Sequence, residues 1–380
     1  MNAIILTAVW GVLMMLAGAF VKSKSTPKYL AIAGAVLALV VNCMEMNTGM
    51  PLLNIEDKNM LATNSMNLTF INIALGCTLL YFLLNGRDIE KVGEHVSEYF
   101  ALIFFVLCGI GLIATFNTLL ILFIGIEIVS IPLYILTGSD KRNLKSNEAA
   151  LKYFLMGSFT TGIMLMGIVL LYGATGSFGM VGLNNPALPP SAGVQTASFL
   201  QVAGFLLLFA AMSFKVSAAP FHFWTPDVYD GAPTAVTAFM SVGTKAGAFA
   251  GLVLVFLMGL APIWHESIAW LAYPTLIYAN YAALTQTQLR RFFAYSGISH
   301  AGFLLIPLAA ATPESVNSLL FYLVVYGIAT LGSFAILALL DNKEEGATLE
   351  DLKGLFYKSP FYATVLTLCL LTLGGIPPTA

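Results

Sequence analysis

The sequence predicts an all-α polytopic membrane protein, and three observations lead to this class. Of the 380 residues, 58% are hydrophobic and only 9% are charged, whereas soluble domains carry about 25% charged residues. The mean hydropathy of +0.86 would leave a soluble protein without a surface to present to water. The apolar residues also fall into successive runs of about 20, the length with which a helix crosses a bilayer core of about 30 Å.

Twelve such spans are predicted, and the last is still running where the sequence stops. The lysines nearest the first span, Lys22, Lys24 and Lys28, follow the apolar run. A cleaved signal peptide has the opposite order, so we expect a retained first helix. The predicted helices 1 to 12 cover residues 2–20, 29–46, 66–84, 98–115, 117–137, 148–173, 198–222, 233–260, 267–286, 291–311, 315–340 and 360 onward.

The Lys and Arg residues predict the orientation of these helices. Thirteen of the 17 lie in loops that follow odd-numbered helices, Lys58 alone follows an even-numbered helix, and three lie within helices. Because positive charge concentrates in cytoplasmic loops, we expect the odd loops in the cytoplasm and the N-terminus outside.

A weak internal repeat divides the chain. LKYFLMGSFTTG at 151–162 resembles LLFYLVVYGIAT at 319–330, and predicted helices 7 and 12 break at AAPFH (218–222) and GGIPP (374–378). Since five helices make an odd number of crossings, two such repeats must lie in opposite orientations, an architecture typical of transporters. The expected parts are N-terminal helices 1–3 over 1–95, a first repeat over 96–262 and a second, incomplete repeat over 263–380.

Titratable side chains fall inside the predicted membrane. A lone charge at the bilayer centre costs about 2.5–3.5 kcal/mol, so these groups are expected to face inward, to be paired or to contact water. The four cysteines form no CxxC pattern, and there is no metal-ligand spacing, phosphate loop or nucleophile elbow. The candidate functional residues are therefore Glu127, Lys215, Lys245 and His300, followed by Lys152 near the start of helix 6 and His222 at the break in helix 7.

Glu127 and Lys215 have opposite charges and similar depth, so we expect them to pair across helices 5 and 7. Lys245 has no acidic residue at its own depth, and a lysine in that setting can gain and lose a proton. His300 can do the same with little change to its surroundings. Pro220 removes a backbone donor and breaks helix 7, which places freed carbonyl groups and a hydrated cavity near Lys215.

Structural roles compete with these functional ones. The predicted ion pair can serve only as a lock between helices, and Lys152 can be a snorkelling residue near the cytoplasmic surface. His222 can be a locally hydrogen-bonded residue of the helix break. Asp227 and Asp230 are interpreted as turn and N-cap residues, and the Tyr and Phe stripes on these helices as packing and lipid contact.

With these residues in view, the chain resembles the antiporter-like subunits of respiratory complex I, and most closely subunit N of the bacterial NADH:quinone oxidoreductase. The resemblance covers about residues 95–380, and TPDVYDGAP followed by TAVTAF is its most specific phrase. The segments that carry it are LFIGIEIVSIPLYIL (122–136), NEAALKYFLMGS (147–158), FHFWTPDVYDGAPTAVTAF (221–239), TQLRRFFAYSGISHAGFLL (287–305) and LKGLFYKSPFYATVLTLCLLTLGGIPPTA (352–380).

The resemblance implies an antiporter-like fold of two inverted five-helix repeats, each with a half-channel and a broken helix. It implies that Glu127 pairs with Lys215, that Lys245 is the central lysine and that His300 links the half-channels. Family members continue past GGIPP with a further charged residue, so the second repeat is expected to be truncated here.

The same resemblance implies a proton-translocating, multi-pass subunit of the bacterial inner (plasma) membrane, with other membrane-arm subunits as partners. NADH, FMN, iron–sulfur clusters and quinone are then used elsewhere in the complex, and this chain holds no cofactor or metal. A Na⁺/H⁺ (Mrp-type) antiporter subunit, a membrane-bound hydrogenase subunit and a structural scaffold remain open alternatives. The net charge of −2 argues against a nucleic-acid partner.

Overall fold

The computed structural model of this chain is a bundle of α-helices. It describes residues 1–21, 23, 25–49, 60–92, 95–180, 199–259, 263–310, 312–340 and 346–376. The helices are α1 (Asn2–Phe20), α2 (Thr26–Thr48), α3 (Ser65–Val92), α4 (Val96–Thr115), α5 (Leu119–Thr137), α6 (Leu144–Thr175), α7 (Phe199–Lys215), α8 (Trp224–Gly231), α9 (Thr234–Gly259), α10 (Ile263–Leu284), α11 (Leu289–Ala310), α12 (Pro313–Leu340), α13 (Leu355–Lys358) and α14 (Pro360–Leu373), with a 3₁₀ turn over Leu349–Leu352.

The predicted all-α membrane fold is confirmed. Within the described ranges, nine helices are long and apolar enough to cross a membrane, namely α1 to α6, α9, α11 and α12. The helices α7 and α14 are apolar but shorter, with 17 and 14 residues. The helix α3 continues beyond its predicted end at residue 84 to Val92, because hydropathy marks only the apolar part of a helix and not the polar turns that extend it.

Predicted helix 7 is interrupted, as Pro220 indicated. The chain leaves the helix after Lys215 and re-enters one at Trp224, with turns between. Irregular backbone at membrane depth is tolerated where protein surrounds it, and here α8 and α10 supply that protein.

Two side-chain contacts fasten this break to its neighbours. Thr225 Oγ1 of α8 donates to Ser217 Oγ at 2.7 Å, and the Ala219 N–H donates to Thr275 Oγ1 of α10 at 2.9 Å. The second contact supplies an acceptor to a backbone N–H that the interrupted helix no longer pairs, and the first joins the break to α8 through side chains.

Two short β-bridges lie at corresponding places in the chain. Thr118, just before α5, pairs with Gly179 after α6, and Gln288, just before α11, pairs with Thr348 after α12. Each bridge is closed by two backbone hydrogen bonds of 2.9–3.1 Å. This matching agrees with a repeat in which predicted helices 5 and 6 correspond to helices 10 and 11. The inverted orientation and the boundaries at residues 95 and 262 stay predictions.

The helix α9 lies at the centre of the bundle, where it packs against α3, α4, α5, α7, α11 and α12. Its glycines explain how α4 approaches so closely. A Cβ atom at Gly247 would lie 2.9 Å from a side-chain carbon of Ile110, and one at Gly251 would lie 2.9 Å from Ile113. Small residues four apart let helices approach closely in membranes, and this contact fixes the register of α9.

Gly231, at the end of α8, is a site where we expect a substitution to destabilise the fold. A Cβ atom there would lie 2.5 Å from the Lys145 carbonyl oxygen of α6 and 2.6 Å from the Ala149 Cβ. Forcing these helices apart costs about 1–3 kcal/mol, so Gly231→Ala should lower the thermal unfolding midpoint of the detergent-solubilised protein. Gly162→Ala, also on α6 and with no atom within 4 Å of the added Cβ, should not. Equal unfolding midpoints for Gly231→Ala and the unsubstituted protein would contradict the prediction.

Some predicted features lie outside the described residues. The segment between predicted helices 6 and 7, residues 174–197, is described only up to residue 180. Of the predicted break at GGIPP, the structure describes Gly374 to Ile376, where α14 has ended at Leu373. The loop lysines Lys22, Lys24, Lys58 and Lys343 also lie outside the described part of the chain.

Candidate functional site

Lys215 ends α7 at the edge of an internal cavity. Its Nζ donates a hydrogen bond to Ser130 Oγ of α5 at 2.8 Å, and that hydroxyl donates to the Ile126 carbonyl at 2.6 Å. The cavity has a water-accessible volume of about 30 Å³. One water needs about 10–15 Å³ of such volume, so two waters fit beside the lysine. Its walls consist of seven aliphatic or methionine side chains together with Ser130, Tyr153, Trp224 and Thr244.

The direct ion pair expected between Glu127 and Lys215 is not formed in the structure. Among the described residues, no ion pair joins them, and Glu127 Oε1 is buried without a hydrogen-bond partner. The carboxylate is still close enough for its charge to act on Lys215. Ser130 lies one helical turn beyond Glu127 on α5, and its hydroxyl, not the carboxylate, accepts a hydrogen bond from the Lys215 ammonium. Ser130 was not among the predicted site residues, although it lies three residues after Glu127 and so on nearly the same face of the helix.

Lys245 lies near the middle of α9 and is 2% exposed. Its Nζ donates to the Gly297 carbonyl of α11 and to the Tyr326 hydroxyl of α12 at 3.2 Å. A Cβ atom at Gly297 would lie 3.0 Å from that nitrogen, so a glycine leaves the carbonyl accessible. Within the described ranges, no carboxylate binds Lys245.

His300 continues this polar line along α11 and α12. Its Nδ1 lies 2.7 Å from the Tyr322 hydroxyl, and its ring centroid is 4.9 Å from that of Tyr326. Tyr326 also donates to the Ser241 carbonyl at 3.1 Å. The sequence did not single out these two tyrosines, which lie on predicted helix 11 (315–340). Their spacing of four residues places both hydroxyls on one face of α12, a pattern that is already visible in the sequence.

Lys152 is not an isolated snorkelling residue. Its Nζ lies 2.8 Å from Glu148 of its own helix and 2.8 Å from Asp227 of α8. Asp227 also lies 3.2 Å from Arg291 of α11, and Asp230 lies 3.8 Å from the same guanidinium. Asp227 lies within α8, and its carboxylate binds two basic residues. The turn and N-cap role of Asp227 and Asp230 stays a prediction.

His222 lies in the break between α7 and α8 and is 3% exposed. The local hydrogen bond that we expected is not made by its Nδ1, which is buried without a partner. Its ring instead contacts the Tyr278 ring of α10, at a centroid distance of 4.5 Å. The structure therefore places His222 apart from the contacts that Lys215 and Lys245 make.

Two polar clusters thus flank α9. One contains Lys215, Ser130 and the cavity, which Thr244 of α9 lines. The other contains Lys245, the next residue of α9, with the histidine and tyrosines of α11 and α12. Amines, hydroxyls and an imidazole can carry protons between waters. In the described part of the chain, no group of three or more His, Cys, Asp or Glu side chains is placed to hold a metal ion.

Comparisons with known proteins agree with this architecture. Residues 117–380 match the family described as "NADH:quinone oxidoreductase/Mrp antiporter, TM". The NADH-quinone oxidoreductase subunit N of Protochlamydia amoebophila is 47% identical over 82% of this chain, and the match spans 64% of that relative, less than two thirds of its length. The subunit N of Cytophaga hutchinsonii is 38% identical over 100% of this chain and 81% of the relative.

A solved structure is similar over nearly the whole chain. A chain in the structure of respiratory complex I from Thermus thermophilus with bound aureothin superposes with a TM-score of 0.82 at 32% identity, covering 99% of this chain and 79% of that one. The bundle, with its interrupted seventh span, is therefore an antiporter-like fold.

Proposed function

Because the chain belongs to the NADH:quinone oxidoreductase/Mrp antiporter family of membrane proteins, we propose that it is a proton-translocating membrane-arm subunit of an NADH:quinone oxidoreductase. The single observation that carries the proposal is Lys245, an amine buried at the centre of the bundle whose partners are a carbonyl and a hydroxyl. A buried amine without a carboxylate can exchange its proton during turnover, and its tyrosine partner contacts His300.

In the proposed mechanism, the cavity supplies water-borne protons to Lys215, and Ser130 and Glu127 compete for its ammonium. Charge changes that arise in the rest of the complex reach this subunit along the membrane arm and move Lys215 between the two. A shift of that positive charge alters the field at Lys245, which then passes its proton toward His300. Interactions between charges are strong in such a low-dielectric interior, so a small displacement of Lys215 suffices.

The remaining chemistry is assigned to partner subunits. NADH, FMN, iron–sulfur clusters and quinone take part in electron transfer there, and this chain performs no redox step. The chain is a multi-pass protein of the bacterial respiratory membrane, and we place its N-terminus outside because of the Lys and Arg bias. The family also includes Mrp antiporters, but the subunit N relatives, one of them at 47% identity, favour the oxidoreductase.

Inverted membrane vesicles that contain the assembled complex provide the test. NADH oxidation should acidify the vesicle interior in sodium-free buffer, a protonophore should collapse the gradient, and deletion of this chain should reduce the protons moved per NADH. Sodium-dependent transport, without dependence on NADH, would overturn the proposal in favour of the antiporter alternative.

Tyr326→Phe should slow proton transfer without breaking the fold. The substitution removes the hydroxyl that accepts from Lys245 and donates to Ser241, while the ring and its packing remain. A hydrogen bond to a charged group contributes about 1.5–3 kcal/mol, so proton flux through this subunit should fall by about tenfold or more. Tyr273→Phe, which alters a ring that is 65% exposed, is the matched control. Equal fluxes in the two variants would remove Tyr326 from the path.

A further inference from the structure

The strongest feature outside the proposed proton path is a carboxylate that ties three helices together. Asp227 of α8 binds Lys152 of α6 at 2.8 Å through Oδ2 and Arg291 of α11 at 3.2 Å through Oδ1. The three side chains are 36%, 38% and 35% exposed, so they lie where water and salt reach them. We call Lys152, Asp227 and Arg291 the ion triad.

A stacked aromatic pair is held by two of the same helices. Tyr153, the residue after the lysine of the ion triad, stacks on Trp224, which lies one helical turn before Asp227. Their ring centroids are 4.7 Å apart and the rings are inclined by 9°. Both rings are buried and both line the cavity beside Lys215. Trp224 also donates to the Phe214 carbonyl, next to Lys215, at 3.0 Å.

The ion triad therefore fixes the distance between the two helices that carry the stacked rings. If α8 moves away from α6, the Lys152–Asp227 contact and the stacking are lost together, because the residues of each contact lie within one turn of each other. Arg291 adds α11, the helix of His300, to the same contact. The triad thus joins the cavity wall of the first predicted repeat to the second.

We propose that Asp227 is a positioning residue that keeps the Tyr153–Trp224 pair closed over the Lys215 cavity by binding Lys152 and Arg291 at once. The inference rests on the proposed function only in treating this cavity as part of a proton path. Opening of the pair is a motion between α6 and α8, and the ion triad opposes it from the solvent-exposed side.

The test measures access to the cavity directly in the assembled complex in native membranes. A Thr244→Cys variant places a thiol in the cavity wall. The rate at which N-ethylmaleimide, a neutral reagent, modifies this thiol is measured. The labelling of the native cysteines, determined in the protein that keeps Thr244, is subtracted from it. Adding Asp227→Asn should raise this rate by roughly two- to thirtyfold, the effect of losing two partly exposed ion pairs. Asp227→Glu, which keeps the charge, should retain a rate close to that of Thr244→Cys alone.

Two controls separate positioning from general loosening of the fold. Glu148→Gln removes the other carboxylate that binds Lys152 but no contact between helices, so it should leave the rate unchanged. High salt screens exposed ion pairs, so it should raise the rate when Asp227 is present and have little effect in Asp227→Asn. Equal rates with and without Asp227→Asn at both salt concentrations would overturn the inference, whereas proton pumping by a Lys245→Ala complex would overturn only the proposed function.

Discussion

Replacing Lys245 by Ala is expected to abolish proton translocation through this subunit. The substitution removes an exchangeable amine from the centre of α9, where it contacts Gly297 and Tyr326. Positioned acid–base groups contribute about 10²–10⁴-fold to proton-transfer rates, so the flux through this path should fall by about 100-fold or more. The fold should persist, because Tyr326 keeps its hydrogen bond to Ser241.

The measurement compares protons moved per NADH in reconstituted vesicles with the rate at which the hydrophilic part of the complex reduces an artificial acceptor. The first should fall in Lys245→Ala, and the second should remain at the wild-type rate. Lys353→Ala is the matched control, because it removes a lysine that is 71% exposed and pairs with the exposed Glu350. Full pumping by the Lys245→Ala complex would refute the relay.

Replacing Lys215 by Met is expected to have the second-largest effect. Methionine keeps most of the length of the side chain and fills the same space, but it removes the ammonium that binds Ser130. The cavity then lacks its cation, and the coupling between this cluster and Lys245 is lost. We expect proton translocation to fall by about 100-fold while the assembled complex is still recovered in normal amount.

Two milder variants on α5 distinguish the partners of Lys215. Ser130→Ala removes the partner that the structure contains, and Glu127→Gln removes the nearby charge without a change of shape. If the ammonium moves between both groups during turnover, each variant should slow proton flux, and neither should match Lys215→Met. An undiminished flux in Glu127→Gln would show that the hydroxyl alone serves Lys215 and that the carboxylate has no part in turnover.

The architecture was accessible from the sequence because the membrane imposes a simple rule. Each crossing needs a long apolar run, and Pro220 inside such a run predicts an interruption. The depth of Lys245 within its helix followed from counting along an apolar segment. None of these inferences depends on knowing which helices are neighbours.

The contacts of the site were not accessible in the same way, because they depend on how helices rotate against one another. The sequence places Glu127 and Ser130 on nearly the same face of α5, and only packing decides which one reaches Lys215. Likewise, a tyrosine facing lipid and one facing a buried amine look alike in a hydrophobic stripe. Tyr326 and Asp227 could be assigned only once α12 and α11 had been placed beside their partners.

One consequence of the central position of α9 concerns thermodynamic linkage. Thr244 of α9 lines the cavity beside Lys215, and the next residue, Lys245, contacts α11 and α12. Consecutive residues of one helix therefore belong to the two polar clusters. A rotation of α9 about its axis that changes the contacts of one cluster therefore changes those of the other. If a change at Lys215 alters the free energy of protonation of Lys245, a change at Lys245 must alter the free energy of protonation of Lys215 by the same amount.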